Sequence, residues 1–366
     1  MNIQIPDHIN SIKSYLPGKT IPQLQQEYGW EKVAILWNNE NTLGYSPKSK
    51  EAVIKEYEHI NYYPDPVSRD LKKVLAEKYG RTSEEIFLGN GSESVLMHAI
   101  RAFCSGDDEF LTSEGAFVII YNWARINNAR CVTLPMTEEY SFDLVAIKKR
   151  ITRNTKVIYL ANVNNPTGTM ISKEELNNFI SSIPDHILVI IDEAYFEYSE
   201  ALHPDFPNSL SLDFSNILTL RTFSKAYGIA GVRLGMGIGN AQIIDALNKV
   251  KLTFEPTALA QAAGLGAIED KVFLKKSIEN NTDQLNYFYR ELDALGIKYV
   301  TSYANFIMTV WNSKEEVMKI FNSLMERGVL VRPLYGPISH CIRISVGKPE
   351  ENQQCIEALR ELKNLA

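Results

Sequence analysis

A lysine amine becomes a useful nucleophile where a carbonyl is brought to it, and one stretch of this chain gathers the groups for such an encounter. Thr222-Phe-Ser-Lys-Ala-Tyr-Gly-Ile-Ala-Gly-Val-Arg-Leu-Gly235 follows an apolar run, 217–220, that reads as a buried strand. Thr222 and Ser224 set two hydroxyls ahead of Lys225, and Arg233 follows shortly after it. Gly228 and Gly231 lie between, so the chain can turn tightly there. The amine can form a Schiff base, while hydroxyls and a guanidinium hold phosphate oxygens. The stretch therefore suits a ligand that carries both a carbonyl and a phosphate. Taken alone, a Ser-Lys pair also fits a solvated lysine in a glycine-rich surface loop, so the rest of the chain has to decide.

The elements that would position this loop alternate regularly. Strand-like segments lie at 86–88, 110–112, 131–134, 157–161 and 187–191, with helical patterns between them. Such alternation predicts an α/β fold with a mostly parallel, helix-covered sheet. Ligands bind beyond the carboxyl ends of the strands in sheets of this kind. Gly89-Asn-Gly-Ser-Glu-Ser94 leads from a strand into a helix, whose first N–H groups favour an anion, although the same residues would serve a plain turn. Asn165, Asp192 and Lys225 likewise follow strands, so all should meet at one edge. Ser172-Lys-Glu-Glu175 has capping-box spacing and starts a helix. Beyond Asn240 helices dominate, and the last seventy residues or so read as a smaller α+β domain with strands near 306–311, 329–332 and 342–346. The expected division is an arm over 1–45, broken by Pro6, Pro17 and Pro22, then a large domain over 46–255. A small C-terminal domain with linking helices follows over 256–366.

Composition narrows the class. With 366 residues, 45% apolar and 22% charged, the chain can bury a sizeable core. A net charge of −6 argues against a nucleic-acid partner. No apolar run is long enough to span a bilayer, and the first residues lack the pattern of a secretory signal, so a cytoplasmic setting is expected. Cys104, Cys131, Cys341 and Cys355 show no metal-binding spacing and read as small core residues; no metal site is expected.

These motifs together resemble the fold-type I pyridoxal-phosphate aminotransferases, most closely the histidinol-phosphate branch. The resemblance runs through Tyr15-Leu-Pro-Gly18, Asn39-Glu-Asn41, Tyr63-Pro-Asp65, Gly89-Asn-Gly-Ser92 and Asn164-Asn-Pro-Thr-Gly168. It continues through Asp192-Glu-Ala-Tyr195, Thr222-Phe-Ser-Lys225, Ala230-Gly-Val-Arg-Leu-Gly235 and Ile342-Arg-Ile-Ser-Val-Gly347. It implies pyridoxal 5'-phosphate as cofactor, bound through Lys225, with Asp192 as counter-ion to its pyridine nitrogen. Gly91, Ser92, Glu93, Thr222, Ser224 and Arg233 would hold the phosphate. Asn165 and Tyr195 would bond the ring oxygen, and Phe117 would stack on the ring. Tyr63 would reach the phosphate of a neighbouring subunit, which makes the expected enzyme a homodimer. Arg343, with Arg332 and Tyr15, would take the far end of the substrate. Each type has a plainer use as well: Asp192 as a turn cap, Asn165 in an Asn-Pro turn, Tyr195 and Phe117 in packing, Arg343 in a surface ion pair. Arg343 alternates with Ile342 and Ile344, so it should point away from the core face.

The implied activity is transfer of an amino group between histidinol phosphate, or a related amino acid, and 2-oxoglutarate, in amino-acid biosynthesis. An aminotransferase for aromatic or other amino acids is the alternative, as is a decarboxylase of a phosphorylated amino acid; a non-catalytic binding protein is the third. The chain departs from the family pattern at Thr42, at Gly115-Ala116 and at Phe254-Glu-Pro-Thr257. Glu255 is expected to add negative charge near a second arm of the site, which would either weigh against a substrate phosphate or attract an amine.

Overall fold

The computed structural model describes residues 3–14 and 18–365. Thirteen strands lie among them. In chain order they are β1 (Ala34–Ile35), β2 (Ile86–Gly89), β3 (Glu109–Ser113), β4 (Arg130–Leu134), β5 (Thr155–Ala161), β6 (Leu188–Asp192) and β7 (Ile217–Thr222). There follow β8 (Gly235–Gly239), β9 (Lys298–Val300), β10 (Phe306–Val310), β11 (Val329–Leu330), β12 (Arg332–Pro333) and β13 (Cys341–Ser345).

Seven of these form the large sheet, in the order β2-β8-β7-β6-β5-β3-β4. Every neighbouring pair is parallel except the two made by β8. Strands β6 and β7 are buried along their whole length and β5 nearly so. Strands covered on both faces have no wet side, which is why they read as unbroken apolar runs. Val157, Ile190 and Leu218 pack in one core with Val95 and Leu96 of the helix Ser92–Phe103. Each such side chain contributes about 1.5–3 kcal/mol on burial. This is the mostly parallel, helix-covered layer that the alternation predicts.

The reversal of β8 has a local consequence. It begins at the edge where its neighbours end, with Gly235 opposite both Gly89 and Thr222. A Cβ on Gly235 would run into the backbone of Gly91 and Ser92, so only glycine lets that loop lie against the strand.

A second, antiparallel sheet has the order β12-β13-β10-β9. Ile342 and Ile344 point into its core with Ile307, Phe288 and Ile356, and Arg343 lies between them on the other face. The single strand expected over 329–332 is two short ones that serve different sheets. The arm supplies β1 as a parallel partner for β11, so the chain changes partners at Val331 before β12 joins β13. Leu36 continues the insertion: its N–H donates to Leu330 O at 2.8 Å, and Ser345 N–H donates to Leu36 O at 2.9 Å. Earlier in the arm, Pro22 does not break the chain but sits in the first turn of the helix Ile21–Tyr28. There its missing N–H is no loss, and Thr20 and Gln23 cap the helix reciprocally. No helix among the described residues is long and apolar enough to cross a membrane.

Candidate active site

One cavity of about 510 Å³ opens at the strand ends of the large sheet. Gly91, Ser92 and Glu93 reach it from β2, Phe117 from β3, Asn165 from β5, and Asp192 as the last residue of β6. Thr222, Ser224 and Lys225 reach it from β7. Arg233 precedes β8, and only because that strand runs backwards does its start fall at this edge.

Lys225 Nζ donates to two main-chain carbonyls, those of Asn38 and Asn39, each at 3.2 Å. Burial first, then the nearby charges of Arg343 and Arg233, bring its amine down to about 8, although Glu40 and Asp192 oppose this. A substantial neutral fraction is therefore present near neutral pH, as a nucleophile requires. Asp192 is buried, and burial pushes its carboxyl up to about 6. Tyr159 donates its hydroxyl to Asp192 Oδ2 at 2.8 Å, and Ala194 N–H donates to Oδ1 at 3.1 Å. The remaining stabilisation of that charge must come from a cation in the cavity. Tyr195 Oη accepts from Asn39 Nδ2 at 3.0 Å, which leaves its own proton for another acceptor.

The opposite end of the cavity is a set of donors. Ser92 and Glu93 open the helix Ser92–Phe103, and their N–H groups take no acceptor among the described residues. The hydroxyls of Thr222 and Ser224 stand 3.0 Å apart in one hydrogen bond beside these N–H groups. Arg233 adds a guanidinium on a residue with φ of 60°, a left-handed conformation that costs a non-glycine residue on the order of 1 kcal/mol. Gly91 has φ of 84°, and a Cβ there would sit 2.6 Å from Arg233 Nη2. The cup exists because Gly91 has no side chain.

Behind Asn165 lies Arg343, only 8% exposed. Its Nη1 donates to Asn165 Oδ1 at 2.7 Å and its Nη2 to Trp37 O, while its Nε finds no acceptor. Burial, then Arg332 nearby, press its guanidinium down to about 10. Arg332 stands directly opposite Arg343 across β12 and β13, and its Nη2 donates to Asn38 Oδ1 at 2.6 Å.

The family model for class I and II aminotransferases matches residues 31–359. The chain belongs to this family. It is 35% identical over 365 residues to a histidinol-phosphate aminotransferase of Geobacillus sp. (strain WCH70), covering 98% of each chain. It is 38% identical to histidinol-phosphate aminotransferase 1 of Psychrobacter arcticus, covering 97% of this chain and 94% of that one. Among solved structures it resembles histidinol-phosphate aminotransferase from Sinorhizobium meliloti in complex with pyridoxal-5'-phosphate. The TM-score is 0.89 at 27% identity, covering 99% of this chain and 98% of that one. The enzyme class and cofactor expected from the sequence thus stand: this is an aminotransferase that works with pyridoxal 5'-phosphate.

Not every expected site residue of this aminotransferase meets at the cavity. Tyr63 does not line it; the side chain is 80% exposed and stacks on Phe254 at 4.2 Å. Tyr15 lies outside the described residues. Arg332 and Arg343 stand just beyond the walls. Glu255 corrects an expectation. It is buried and turned away from any substrate: it accepts from Asn90 N–H at 2.8 Å and Ser94 Oγ at 2.7 Å, and faces His98 Nε2 at 3.0 Å. Its charge is occupied by the glycine loop, so it does not weigh against a phosphorylated substrate. Sequence reasoning missed Asn38, Asn39, Glu40 and Tyr159, although the Asn39-Glu-Asn41 motif marked the segment. Asn39, buried with φ of 56°, also receives Asn305 Nδ2 on its carbonyl at 3.1 Å.

Proposed function

We propose that this aminotransferase takes the amino group of histidinol phosphate, or a closely related amino acid, and passes it to 2-oxoglutarate. The observation that carries the reading is Arg343, a buried guanidinium whose acceptors are all neutral. A buried charge without a partner is costly, so the counter-ion belongs to the substrate. Arg332 supplies a second cation beside it, and two cations suit the higher charge of a phosphate. No carboxylate among the described residues forms an ion pair with Arg233, Arg332 or Arg343. The similarity to histidinol-phosphate aminotransferases of Geobacillus and Psychrobacter supports the same choice.

The donor set fits the cofactor: a neutralisable amine, a buried carboxylate and, at a separate end, free N–H groups with hydroxyls and a guanidinium. When bound, pyridoxal 5'-phosphate supplies a reactive aldehyde and a ring that takes up electrons. Lys225 Nζ would hold the aldehyde and, once displaced by the amino donor, carry the proton leaving the donor's α-carbon. Asp192 would keep the ring nitrogen protonated, supported by Tyr159. Asn165 and Tyr195 would orient the ring oxygen, and Phe117 would cover one ring face. Gly91, Ser92, Glu93, Thr222, Ser224 and Arg233 would grip the phosphate. Tyr63, exposed and unable to meet its own cavity, would reach that of a second copy in a homodimer. Amino-acid biosynthesis in the cytoplasm is the setting we assign.

A half-reaction screen tests the substrate. Loss of the lysine-bound cofactor absorbance is followed with histidinol phosphate, its unphosphorylated form, aromatic amino acids and glutamate. Histidinol phosphate and glutamate should react fastest, and Arg332→Ala should slow the phosphorylated donor at least tenfold more than the unphosphorylated one. Equal loss toward both would remove the phosphate from the reading, and release of carbon dioxide would replace transfer with decarboxylation.

A further inference from the structure

We propose that Glu255 is a positioning residue for the cofactor phosphate, holding the glycine loop so that only the useful N–H groups face the cavity. The proposal rests on the pyridoxal-phosphate reading above. Between β2 and the helix the loop has two N–H donors, those of Asn90 and Gly91. Gly91 N–H donates to Gly89 O at 2.8 Å, and Asn90 N–H donates to Glu255 Oε1. Both are thereby withdrawn from the cavity, and Ser92 and Glu93 N–H are left as its free donors. Ser94, one residue further on, is drawn to the same carboxylate oxygen, so the first turn of the helix is fixed from behind.

The carboxylate is itself well anchored. His98, 1% exposed, meets Oε2 from the second turn of the same helix. Lys251 Nζ donates to Glu255 O at 3.1 Å and to Pro66 O at 2.7 Å, tying the 251–255 segment to the loop before the helix Arg69–Tyr79. Burial pushes the Glu255 carboxyl up, but the bonds from His98, Asn90 and Ser94 more than reverse this, to about 2. It is therefore an acceptor at every working pH. A carboxylate so placed accepts from several donors at once and can point no donor of its own at the phosphate.

The test compares dissociation constants for pyridoxal 5'-phosphate and for pyridoxal, which lacks the phosphate, by spectroscopic titration of the full chain. Glu255→Ala should weaken pyridoxal 5'-phosphate by roughly ten- to a hundredfold and pyridoxal by less than about threefold. Glu255→Asp, whose carboxylate stops one methylene short of the loop, should shift the ratio in the same direction by about fivefold or more. Glu255→Gln keeps an oxygen at the right reach and should hold the ratio within about threefold. Leu292→Ala, a truncation in the core of the small sheet, controls for general destabilisation and should leave the ratio alone. Should Glu255→Ala fail to fold, the aspartate variant decides. An unchanged ratio in Glu255→Asp, or an equal shift in Leu292→Ala, overturns the proposal. A parent chain that binds neither ligand overturns the cofactor reading, and the proposal with it.

Discussion

Lys225 is half-buried and Asp192 buried, and loss of water pushes each toward its neutral form. For the lysine this is an advantage. With its amine at about 8, roughly a quarter is neutral at pH 7.5, against about a thousandth for an ordinary lysine. Uptake of pyridoxal 5'-phosphate by the cofactor-free protein should therefore quicken up to about pH 8 and level off above it, as stopped-flow absorbance would record. A rise continuing past pH 10 would mean that the amine is unperturbed. Borohydride reduction and peptide mapping should then find the pyridoxyl label on Lys225. For Asp192 the same burial is a liability without the cofactor. Its pKa is raised when folded, so its cost is absent below about 4, grows as pH rises through the raised value, and is complete above about 6. That cost is up to about 3 kcal/mol. Asp192→Asn should remove it: the difference in stability between variant and parent should widen from pH 4 to pH 7 in urea titrations of cofactor-free protein. The same variant should lose at least about a hundredfold in transamination, because an amide cannot hold the ring proton. A variant equally stable and equally active would show Asp192 to be a turn cap.

At the scale of elements, the cup depends on a loop, a reversed strand and one missing Cβ. Gly91→Ala forces φ of 84° on a residue with a side chain and thrusts that side chain at Arg233. The guanidinium can swing away, but then it leaves the cup. The expected result is a loss of about 1–2 kcal/mol in stability and a weakening of cofactor binding by about tenfold or more, read by denaturant titration and absorbance. The strands of the large sheet were legible because parallel strands buried on both faces are unbroken apolar runs, as at 157–161 and 187–191. The groups just past their ends, Asp192 and Lys225 among them, were legible for the same reason. The roof was not. Asn38 and Asn39 meet Lys225 through main-chain carbonyls, which leave no mark in a side-chain pattern, and they come from far away in the chain. Glu255 misled because a lone glutamate near a site reads as free negative charge there. Its burial follows from Asn90, Ser94 and His98, donors that converge on it only in the folded chain.

For the whole molecule, the homodimer proposed above gives the exposed Tyr63 a task in a neighbouring cavity. If Tyr63 completes the neighbour's cup, two defective chains should repair each other. Dissociated and reassociated mixtures of Tyr63→Ala with Lys225→Ala should contain hybrids with one intact site. Their cofactor affinity should exceed that of Tyr63→Ala alone, approaching the parent value at that site, as titration of the mixture would show. No gain over Tyr63→Ala would place the tyrosine's effect within its own chain.

The arm that enters the small sheet bears on how the protein is made. Leu36 is held between Leu330 and Ser345, and Arg343 is tied to Trp37, so the segment that brings Asn38 and Glu40 to the cavity is fixed by residues from the far end of the chain. Synthesis runs from the amino end, and Ala34 and Leu36 leave the ribosome long before their partners exist. Until then the segment over Lys225 has its bonds from Asn39 to Tyr195 and from Asn41 to Ala226, but not those to Leu330 and Ser345. A chain cut before residue 330 should therefore hold the segment over Lys225 less tightly than the full chain, which protease protection of residues 34–41 would show.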